Sequence, residues 1–381
     1  MAAVGTLSAA WHGLQLRGPF QVAMQLVQSV EAMAGLGERA LAIVDWVAAS
    51  TLDSLGKRSA ARRKIESGLA RARSQKDAPL EGRFLCRLAE QIAAKDSVAA
   101  LKLLDDAQAI GERGGDVVLA GLALASKGSI CLELGRPAES RAHYEAALVV
   151  ARQCGDERQQ AGLLGNIGIL LFGEGQSDEA EGVFKRCLAI LERTGDRRWE
   201  GNMHCNLGML YLECERPDEA RGELEAALAI ARSMGHARLE CTVLCNLGIA
   251  LEAQGELDDA RARYEEAVRL AGELADRRSE GQFRGYLGLL LARSGHVEAG
   301  LACLGTGERL LLEASDEWSL GLLLCRRAEA EHHSGRLKDA RHALGRVESI
   351  VLNASAAPNS ELGKALAALS RKLVGTSIEE A

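Results

Sequence analysis

A pattern of apolar and polar positions recurs along the chain at intervals of forty residues. It is clearest in 195–234, where one helix-like run ends at Tyr211 and a second begins after Pro217. The same pattern is present forty residues earlier and forty residues later. A fixed period of this size is typical of a solenoid, in which each unit packs only on its neighbours. The sequence therefore predicts an all-α solenoid of antiparallel helix pairs.

The period divides most of the chain into eight predicted repeats. They are placed at residues 35–74, 75–114, 115–154, 155–194, 195–234, 235–274, 275–314 and 315–354. Residues 1–34 are expected to form an N-terminal segment with a capping helix from Pro19 to Ala34, where apolar positions recur at spacings of three and four, preceded by a loose or partly helical stretch from Met1 to Gly18. Residues 355–381 are expected to form a C-terminal capping helix, from Glu361 to Val374, and a tail. Such caps cover the apolar faces at the ends of a solenoid.

Recurrent polar and flexible residues mark the ends of the predicted helices. Glycine follows the second helix of a repeat and also occupies the turn within a repeat, and it adopts the left-handed conformation cheaply. The first set is Gly155, Gly195 and Gly235, and the second is Gly56, Gly135, Gly175, Gly255, Gly295 and Gly335, with Glu215 in the fifth repeat. An N-cap-like aspartate follows in most repeats, at Asp77, Asp116, Asp156, Asp196, Asp276 and Asp316, whereas His236 departs from this rule.

Three positions stay small in most repeats, and together they resemble a known motif. In the fifth repeat they are Gly208, Ala220 and Ala227, which we expect to let the two helices approach closely. With Leu207, Tyr211 and Leu224 they resemble the pattern of the tetratricopeptide repeat (TPR) family. The family unit commonly has 34 residues, so this would be a longer variant. Its Asn-Leu-Gly form resembles the arrays of kinesin light chains, of the Leu-Gly-Asn repeat-enriched protein, and of bacterial signalling ATPases and Ser/Thr kinases.

The resemblance covers about residues 35–354, and it implies a right-handed superhelix with a concave groove lined by the first helices. In peptide-binding members of the family, an asparagine before Leu-Gly faces the groove and hydrogen-bonds the ligand backbone. That position is held here by Asn166, Asn206 and Asn246. The remaining implied groove positions are Asn202, Thr242, Gln282, Met209, Tyr286 and Arg293. An amide suits this role because it donates and accepts at once. The alternative is that the asparagines tie adjacent helices together inside the protein.

Two functional classes are consistent with this interpretation. The first is a non-enzymatic scaffold that binds a peptide segment of a partner in its groove. The second is a regulatory or sensor array that acts with a bacterial signalling ATPase, kinase or transcription regulator. A self-associating structural scaffold is a third possibility. The family's carboxylate-clamp subtype is a poor match, because Arg87, Arg326 and Arg327 lie far in sequence from the asparagines. No nucleotide-binding, hydrolase or metal-binding motif is present, so no catalytic residue, cofactor or metal is predicted.

Composition and charge limit the classes of partner that the sequence is consistent with. The net charge of −7 does not favour binding of nucleic acid or membrane across the whole surface. The segment 57–76 holds eight basic residues and one acidic residue, and we interpret it as a solvated helix face, with docking of an acidic partner or a phosphate backbone as the alternative.

The cysteines indicate the compartment. The ten cysteines form no dense framework, so disulfides are not expected and a reducing compartment is indicated. Four of them, Cys86, Cys205, Cys245 and Cys325, share one register, which indicates small buried residues. The sequence shows no convincing signal peptide and no membrane-length apolar run, so a cytoplasmic location is expected.

Overall fold

The chain is helical almost throughout the part that the structure describes. A computed structural model describes residues 2–353 and 360–379, and these contain nineteen α-helices and no strand. The helices are α1 Ala2–Arg17, α2 Phe20–Glu31, α3 Glu38–Ser54, α4 Arg58–Ser74, α5 Ala78–Ile92, α6 Ser97–Gly114, α7 Val117–Glu133, α8 Pro137–Gln153, α9 Glu157–Gly173, α10 Ser177–Thr194, α11 Arg197–Glu213, α12 Pro217–Met234, α13 Ala237–Ala253, α14 Leu257–Glu273, α15 Arg277–Arg293, α16 Val297–Glu313, α17 Glu317–His333, α18 Leu337–Asn353 and α19 Glu361–Glu379. The predicted all-α architecture of paired helices is confirmed. None of the described helices is long and apolar enough to cross a membrane.

One pair of helices falls within each predicted repeat, from α3 with α4 to α17 with α18. Two features differ from the expectation at the ends of the chain. Residues before Pro19 form the full helix α1, and α19 continues past Val374 to Glu379. The break predicted at 355–358 lies outside the described residues.

The chain divides into two compact units. The first comprises Met1–Cys214 with Glu223–Leu239, and the second comprises Glu215–Gly222 with Glu240–Ala381. In the second unit, α19 packs against α17 and α18 and buries Leu362 and Leu369. The C-terminal helix therefore covers the last pair, as a capping helix should.

The N-terminal helices of the first unit do more than begin the array. Helix α1 packs on α3 and also on α11, which belongs to the fifth repeat. The buried side chains of Trp11, Phe20 and Val27 share one apolar cluster with Ile230 and Met234 near the end of α12. The hairpin of α1 and α2 thus joins the first repeat to the fifth, a contact that the predicted capping role did not include.

Turn residues behave as the pattern predicts. Every turn glycine named from the sequence has a positive φ, for example 66° at Gly155 and 80° at Gly175. Glu215 takes the same conformation at 57°, and so do Lys76, Ala275 and Ser315, which occupy turns between repeats. The six predicted N-cap aspartates each accept a hydrogen bond from the backbone N–H three residues later. His236 caps α13 in the same way, since its Nδ1 accepts from the backbone N–H of Leu239 at 3.2 Å.

The glycine on the first helix of a repeat makes room for a large side chain on the second helix. A Cβ added at Gly168 would lie 2.6 Å from Cε1 of Phe184, and one added at Gly248 would lie 2.5 Å from Cε1 of Tyr264. Both aromatic rings are fully buried. The close approach predicted from the small residues is therefore a glycine-to-ring contact, sixteen residues apart in the chain.

Six of the eight basic residues of the segment 57–76 are exposed, as expected of a solvated face, but Lys64 and Arg71 are partly buried. Lys64 Nζ lies 2.6 Å from Glu31 Oε1 on α2 and 3.1 Å from Oδ1 of the buried Asp45 on α3. Arg71 also contacts Asp45, at 3.2 Å. A buried carboxylate needs such partners, because its desolvation is costly. The interpretation was wrong for Lys64 and Arg71, which join helices of the first repeat.

Replacing Gly168 by Ala should destabilise the protein, because the new methyl group would overlap the Phe184 ring. Overpacking of this kind costs about 1–3 kcal/mol. Gly182→Ala is the matched control, since nothing lies within 4 Å of its added Cβ on α10. That variant should gain up to about 1 kcal/mol from helix propensity. Denaturant unfolding of both variants checks the prediction, and equal unfolding midpoints would contradict it.

Ala275→Gly should stabilise the protein. Ala275 is exposed and has a φ of 53°, in a region where an L-residue costs about 1–2 kcal/mol and glycine does not. The greater freedom of glycine in the unfolded chain offsets part of the gain, which leaves about 0.5–1 kcal/mol. The reverse change, Gly155→Ala, should destabilise by a similar amount, because alanine is strained at a φ of 66°. The added Cβ would meet nothing within 4 Å, so steric overlap would not contribute to the change. Thermal unfolding that moves both variants in the same direction would refute the argument.

Candidate functional site

Three of the predicted groove amides lie in the first unit on neighbouring helices. Asn166 is on α9, Asn202 and Asn206 are on α11, and these two helices pack together. Asn166 and Asn206 are half-buried, and neither side chain forms a hydrogen bond with any residue that the structure describes. Asn202 donates to the Arg198 carbonyl of its own helix at 2.8 Å. Within the described chain, therefore, none of the three ties one helix to another. Met209 follows on α11 and is also half-buried.

The predicted positions of the second unit have a different character. Thr242 is exposed, whereas Asn246 is 8% exposed. Gln282 Nε2 donates to Ser319 Oγ at 2.6 Å, which links α15 to α17. Arg293 Nη1 pairs with Glu252 Oε1 at 3.0 Å.

Tyr286 in the second unit lies in a stack of side chains. Its ring is stacked on that of Tyr264, with centroids 5.9 Å apart. The guanidinium of Arg326, which is on α17, lies 3.6 Å from the centroid of the Tyr286 ring. A cation over an aromatic face contributes about 0.5–2 kcal/mol. Gln282, Tyr286 and Arg293 thus already have partners within their own unit.

An arginine two residues after the N-cap forms a repeating contact between neighbouring repeats. Arg39 Nε lies 2.9 Å from Asp77, and Arg278 Nε lies 2.5 Å from Asp316. Arg158 makes the same pair with Asp196, whose carboxylate is fully buried. In each case the acceptor is the N-cap aspartate of the following repeat. One carboxylate therefore both caps a helix and holds the preceding repeat.

Arg198 occupies the same position but lacks this partner, because the N-cap residue of the next repeat is His236. Its guanidinium forms no ion pair with a residue that the structure describes. Burial, and next the charge of Arg87, lower the pKa of Arg198. The pKa of His236 is lowered to about 4 by burial and next by the charge of Arg198. The imidazole is consequently neutral near pH 7 and supplies no negative charge to Arg198.

The first unit also contains a cavity of about 150 Å³. It is lined by Asp53, Arg58, Arg87, Glu90, Gln91 and Arg238. Arg238 Nη1 lies 3.4 Å from Asp53 Oδ1, and Arg87 Nη1 lies 3.1 Å from Glu90 Oε2. Arg198 is not among the residues that line it. The lining thus gathers residues of the first, second and sixth predicted repeats.

Sequence reasoning missed this cluster. The contact between Asp53 and Arg238 spans 185 residues, and no period in the sequence indicates which distant repeats meet. Arg87 was judged too far in sequence from the asparagines to act with them, yet its charge acts on Arg198, on the same helix as Asn202 and Asn206. The one available signal was the histidine that interrupts the row of N-cap aspartates.

The cysteines behave as predicted from their register. Cys86, Cys205, Cys245 and Cys325 are all buried, and burial raises the pKa of the Cys86 thiol to about 12. No disulfide links any of the ten cysteines, all of which lie in the described part of the chain. The four cysteines of this register are therefore small core side chains.

Comparison with known proteins identifies the repeats. The tetratricopeptide repeat family model matches residues 119–193 and 199–273. These segments are tetratricopeptide repeats, as the Asn-Leu-Gly motifs indicated. No curated protein matches the chain significantly in sequence.

Solved structures share the fold at low sequence identity. A Rap protein complexed with competence and sporulation factor is 16% identical, with a TM-score of 0.64, and the match covers 92% of this chain and 98% of that one. Aspartyl phosphate phosphatase F from Bacillus subtilis is 14% identical, with a TM-score of 0.58 and coverage of 91% and 93%. A signal transduction ATPase with a tetratricopeptide repeat sensor from Pyrococcus horikoshii is 12% identical, with a TM-score of 0.52 and coverage of 86% and 51%. These likenesses show a TPR-like solenoid and, at such identities, the fold alone.

Acid should weaken the fold through His236. Its pKa is about 4 in the folded protein and 6.5 when unperturbed, so between these pH values the unfolded chain binds a proton that the folded chain does not. Stability is then fully present above pH 6.5 and is lost as the pH falls towards 4, at about 1.4 kcal/mol per unit or about 3.5 kcal/mol in all. The charged groups that act on the ring are Arg198, Arg238 and Asp53.

His236→Asn is the matched control, because asparagine keeps an N-cap acceptor and does not titrate. Denaturant unfolding of both proteins at pH 7 and pH 4.5 measures the difference. The wild-type protein should lose more stability than the variant, and parallel pH profiles would contradict the assignment.

Proposed function

We propose that this chain is a non-enzymatic scaffold that binds an extended segment of a protein or peptide partner along helices α9 and α11. The observation that carries the proposal is the pair Asn166 and Asn206. They occupy the same position in successive repeats, are partly accessible, and have no hydrogen-bond partner among the described residues. An amide with both its donor and its acceptor unused suits the alternating N–H and C=O groups of a main chain.

The spacing of the two helices fits such a ligand. Packed helices lie about 8–10 Å apart, and an extended chain advances about 3.3 Å per residue. Asn166 and Asn206 would then contact ligand residues about three positions apart. Met209, one residue beyond Leu-Gly on α11, would contact the ligand side chains between them.

The comparisons support the scaffold class in general terms. Tetratricopeptide arrays bind other proteins and peptides, and the structurally similar Rap protein is complexed with competence and sporulation factor. The fold is also found in an aspartyl phosphate phosphatase. Our proposal of a non-enzymatic role therefore rests on the chemistry of the site, because Asn166, Asn206 and Met209 supply no nucleophile or base.

A second candidate is a sensor array that acts with a signalling ATPase, kinase or transcription regulator. It is favoured by the likeness to the tetratricopeptide sensor of the ATPase from Pyrococcus horikoshii. In this case the ligand bound along α9 and α11 would be the sensed molecule. Both candidates thus use the same amides and differ in the response that binding triggers.

Positions in the second unit remain predicted ligand contacts. Thr242 is exposed on α13. Gln282, Tyr286 and Arg293 would have to exchange their present contacts with Ser319, Arg326 and Glu252 for contacts with the ligand. We therefore expect them, and the largely buried Asn246, to contribute less to affinity than Asn166 and Asn206.

The double variant Asn166→Ala and Asn206→Ala should lose partner binding and keep its stability. Peptides selected from a random display library on the full wild-type chain serve as the probe. Loss of two hydrogen bonds, at about 0.5–1.5 kcal/mol each, should lower affinity by about fivefold to a hundredfold. Thermal unfolding should change little, because neither amide bonds a described residue.

Asn353→Ala is the control, since Asn353 is an exposed amide at the end of α18 in the second unit. It should leave both affinity and stability unchanged. A double variant that unfolds early but binds the selected peptide normally per folded molecule would mean that the amides are structural.

A further inference from the structure

The α1–α2 hairpin has a second side that its packing on the repeats leaves exposed. Its buried side is apolar and includes Trp11, Phe20 and Val27. On the opposite side, exposed residues follow one another along each helix at spacings of three and four, so they share a face. This side is called the outer face here, and it consists of Gly5, Ala9 and Gly13 on α1 and of Val22, Leu26 and Ser29 on α2.

The hairpin differs from the rest of the chain in its charge. Charged residues make up 26% of the sequence, yet among residues 2–33 only Arg17 and Glu31 carry a formal charge at pH 7. Both side chains are directed towards the repeats. Glu31 pairs with Lys64 of α4, and Nη2 of Arg17 would lie 2.6 Å from a Cβ added at Gly195. The outer face is therefore uncharged.

The exposed residues of α2 have the spacing of a helix-packing seam. Val22, Leu26, Ser29 and Met33 follow one another at intervals of four, three and four, with Met33 just beyond the end of the helix. The three apolar members are 40%, 36% and 47% exposed. Alternating intervals of three and four place side chains on one line along a helix, where a second helix packs at a shallow angle. This line is thus shaped to contact another helix.

The exposed residues of α1 are small, which suits the same contact. Gly5 and Gly13 lie inside the helix, although glycine is less favourable there than any residue except proline. A Cβ added at either would meet nothing within 4 Å among the described residues, unlike one added at Gly168, which would meet Phe184. With Ala9 between them, the two glycines let a helix of a partner approach closely.

The absence of charge determines the kind of partner that this face fits. A charged surface that docked here would lose its hydration and gain no opposite charge, which is unfavourable. The partner must therefore present uncharged helices as well. The outer face itself meets this requirement, and two copies related by a two-fold axis would bring it against its own counterpart. The exposed Gln21, Gln25 and Gln28 are self-complementary, since an amide both donates and accepts.

The size of the outer face fits a reversible dimer. Helices α1 and α2 have 16 and 12 residues, which correspond to lengths of about 24 and 18 Å. Packed helices lie about 8–10 Å apart, so the two together present a face about 20 Å in each direction. Two facing copies would bury on the order of 1,000 Å² in total, near the lower limit for a specific interface. This area suits association that depends on concentration.

We propose that the outer face is the contact between two copies of this chain, whose α1–α2 hairpins pair as a two-fold symmetric arrangement of four helices. The proposed ligand contacts on α9 and α11 are not part of this face. One dimer would therefore carry two of them, and a partner with two binding segments would bind the dimer more tightly than the monomer. The dimer itself does not depend on the proposed ligand.

The first test is sedimentation velocity of the full chain between about 1 and about 100 μM, a range that covers micromolar dissociation constants. The mass should rise with concentration from 40.6 kDa towards twice that value. Association should strengthen as sodium chloride rises from about 0.05 to about 0.5 M, because salt screens the repulsion between copies of net charge −7. A chain that stays monomeric at about 100 μM, or a dimer that salt dissociates, overturns the proposal.

A charged residue placed on the outer face should prevent the dimer. Leu26→Glu should raise the dissociation constant by about tenfold or more, since two like charges would be buried together. Val98→Glu is the matched control, because Val98 on α6 is 78% exposed and is not part of the face. Thermal unfolding at low concentration shows whether both variants fold. Ala9→Glu on α1 gives a second route if Leu26→Glu does not, and equal dissociation constants of the folded variants would overturn the proposal.

Two further variants test the arrangement of the contact. Gly13→Gln should raise the thermal stability of the monomer through helix propensity and yet weaken the dimer, because its side chain would separate the helices. Stronger folding with unchanged association would overturn the assignment of α1 to the interface. Leu26→Lys should be monomeric by itself but should pair with Leu26→Glu in an equal mixture. A mixture that stays monomeric would rule out two outer faces in contact.

Discussion

The first unit depends on the burial of the α1–α2 hairpin against the end of α12. Phe20 and Val27 are wholly buried there together with Met234. Full burial of such a side chain contributes about 1.5–3 kcal/mol, so the cluster as a whole is a large favourable contribution to the free energy of folding. It holds the first repeat against the fifth and sets Asp53 beside Arg238. The arginines that line the cavity repel one another, and the apolar burial keeps their helices together against this repulsion.

The helices and their ends could be predicted from the sequence because their causes are local. A glycine at Gly155 and an aspartate at Asp156 act on backbone groups within a few residues, so their meaning does not depend on the rest of the fold. Even the exception at Glu215 was visible as a break in the row of turn glycines. The destination of α1 was not predictable in this way, since a helical period reveals an apolar face but not the surface that covers it. The same limit applies to Lys64, whose partner Asp45 lies on another helix.

Only part of the candidate site could be predicted. The register of the repeats placed Asn166 and Asn206 correctly on packed first helices, yet it could not show that Gln282, in a neighbouring register position, is engaged by Ser319. Side-chain partners depend on what the next repeat carries, and this differs from repeat to repeat. The arginine cluster was hidden for a stronger reason, because Arg87 and Arg238 meet only after the N-terminal hairpin has brought distant repeats together. The sequence showed His236 as an exception among the N-cap aspartates. Its consequence for Arg198 could be recognised only from the structure, which shows that the equivalent arginine of other repeats pairs with the N-cap aspartate of the following repeat.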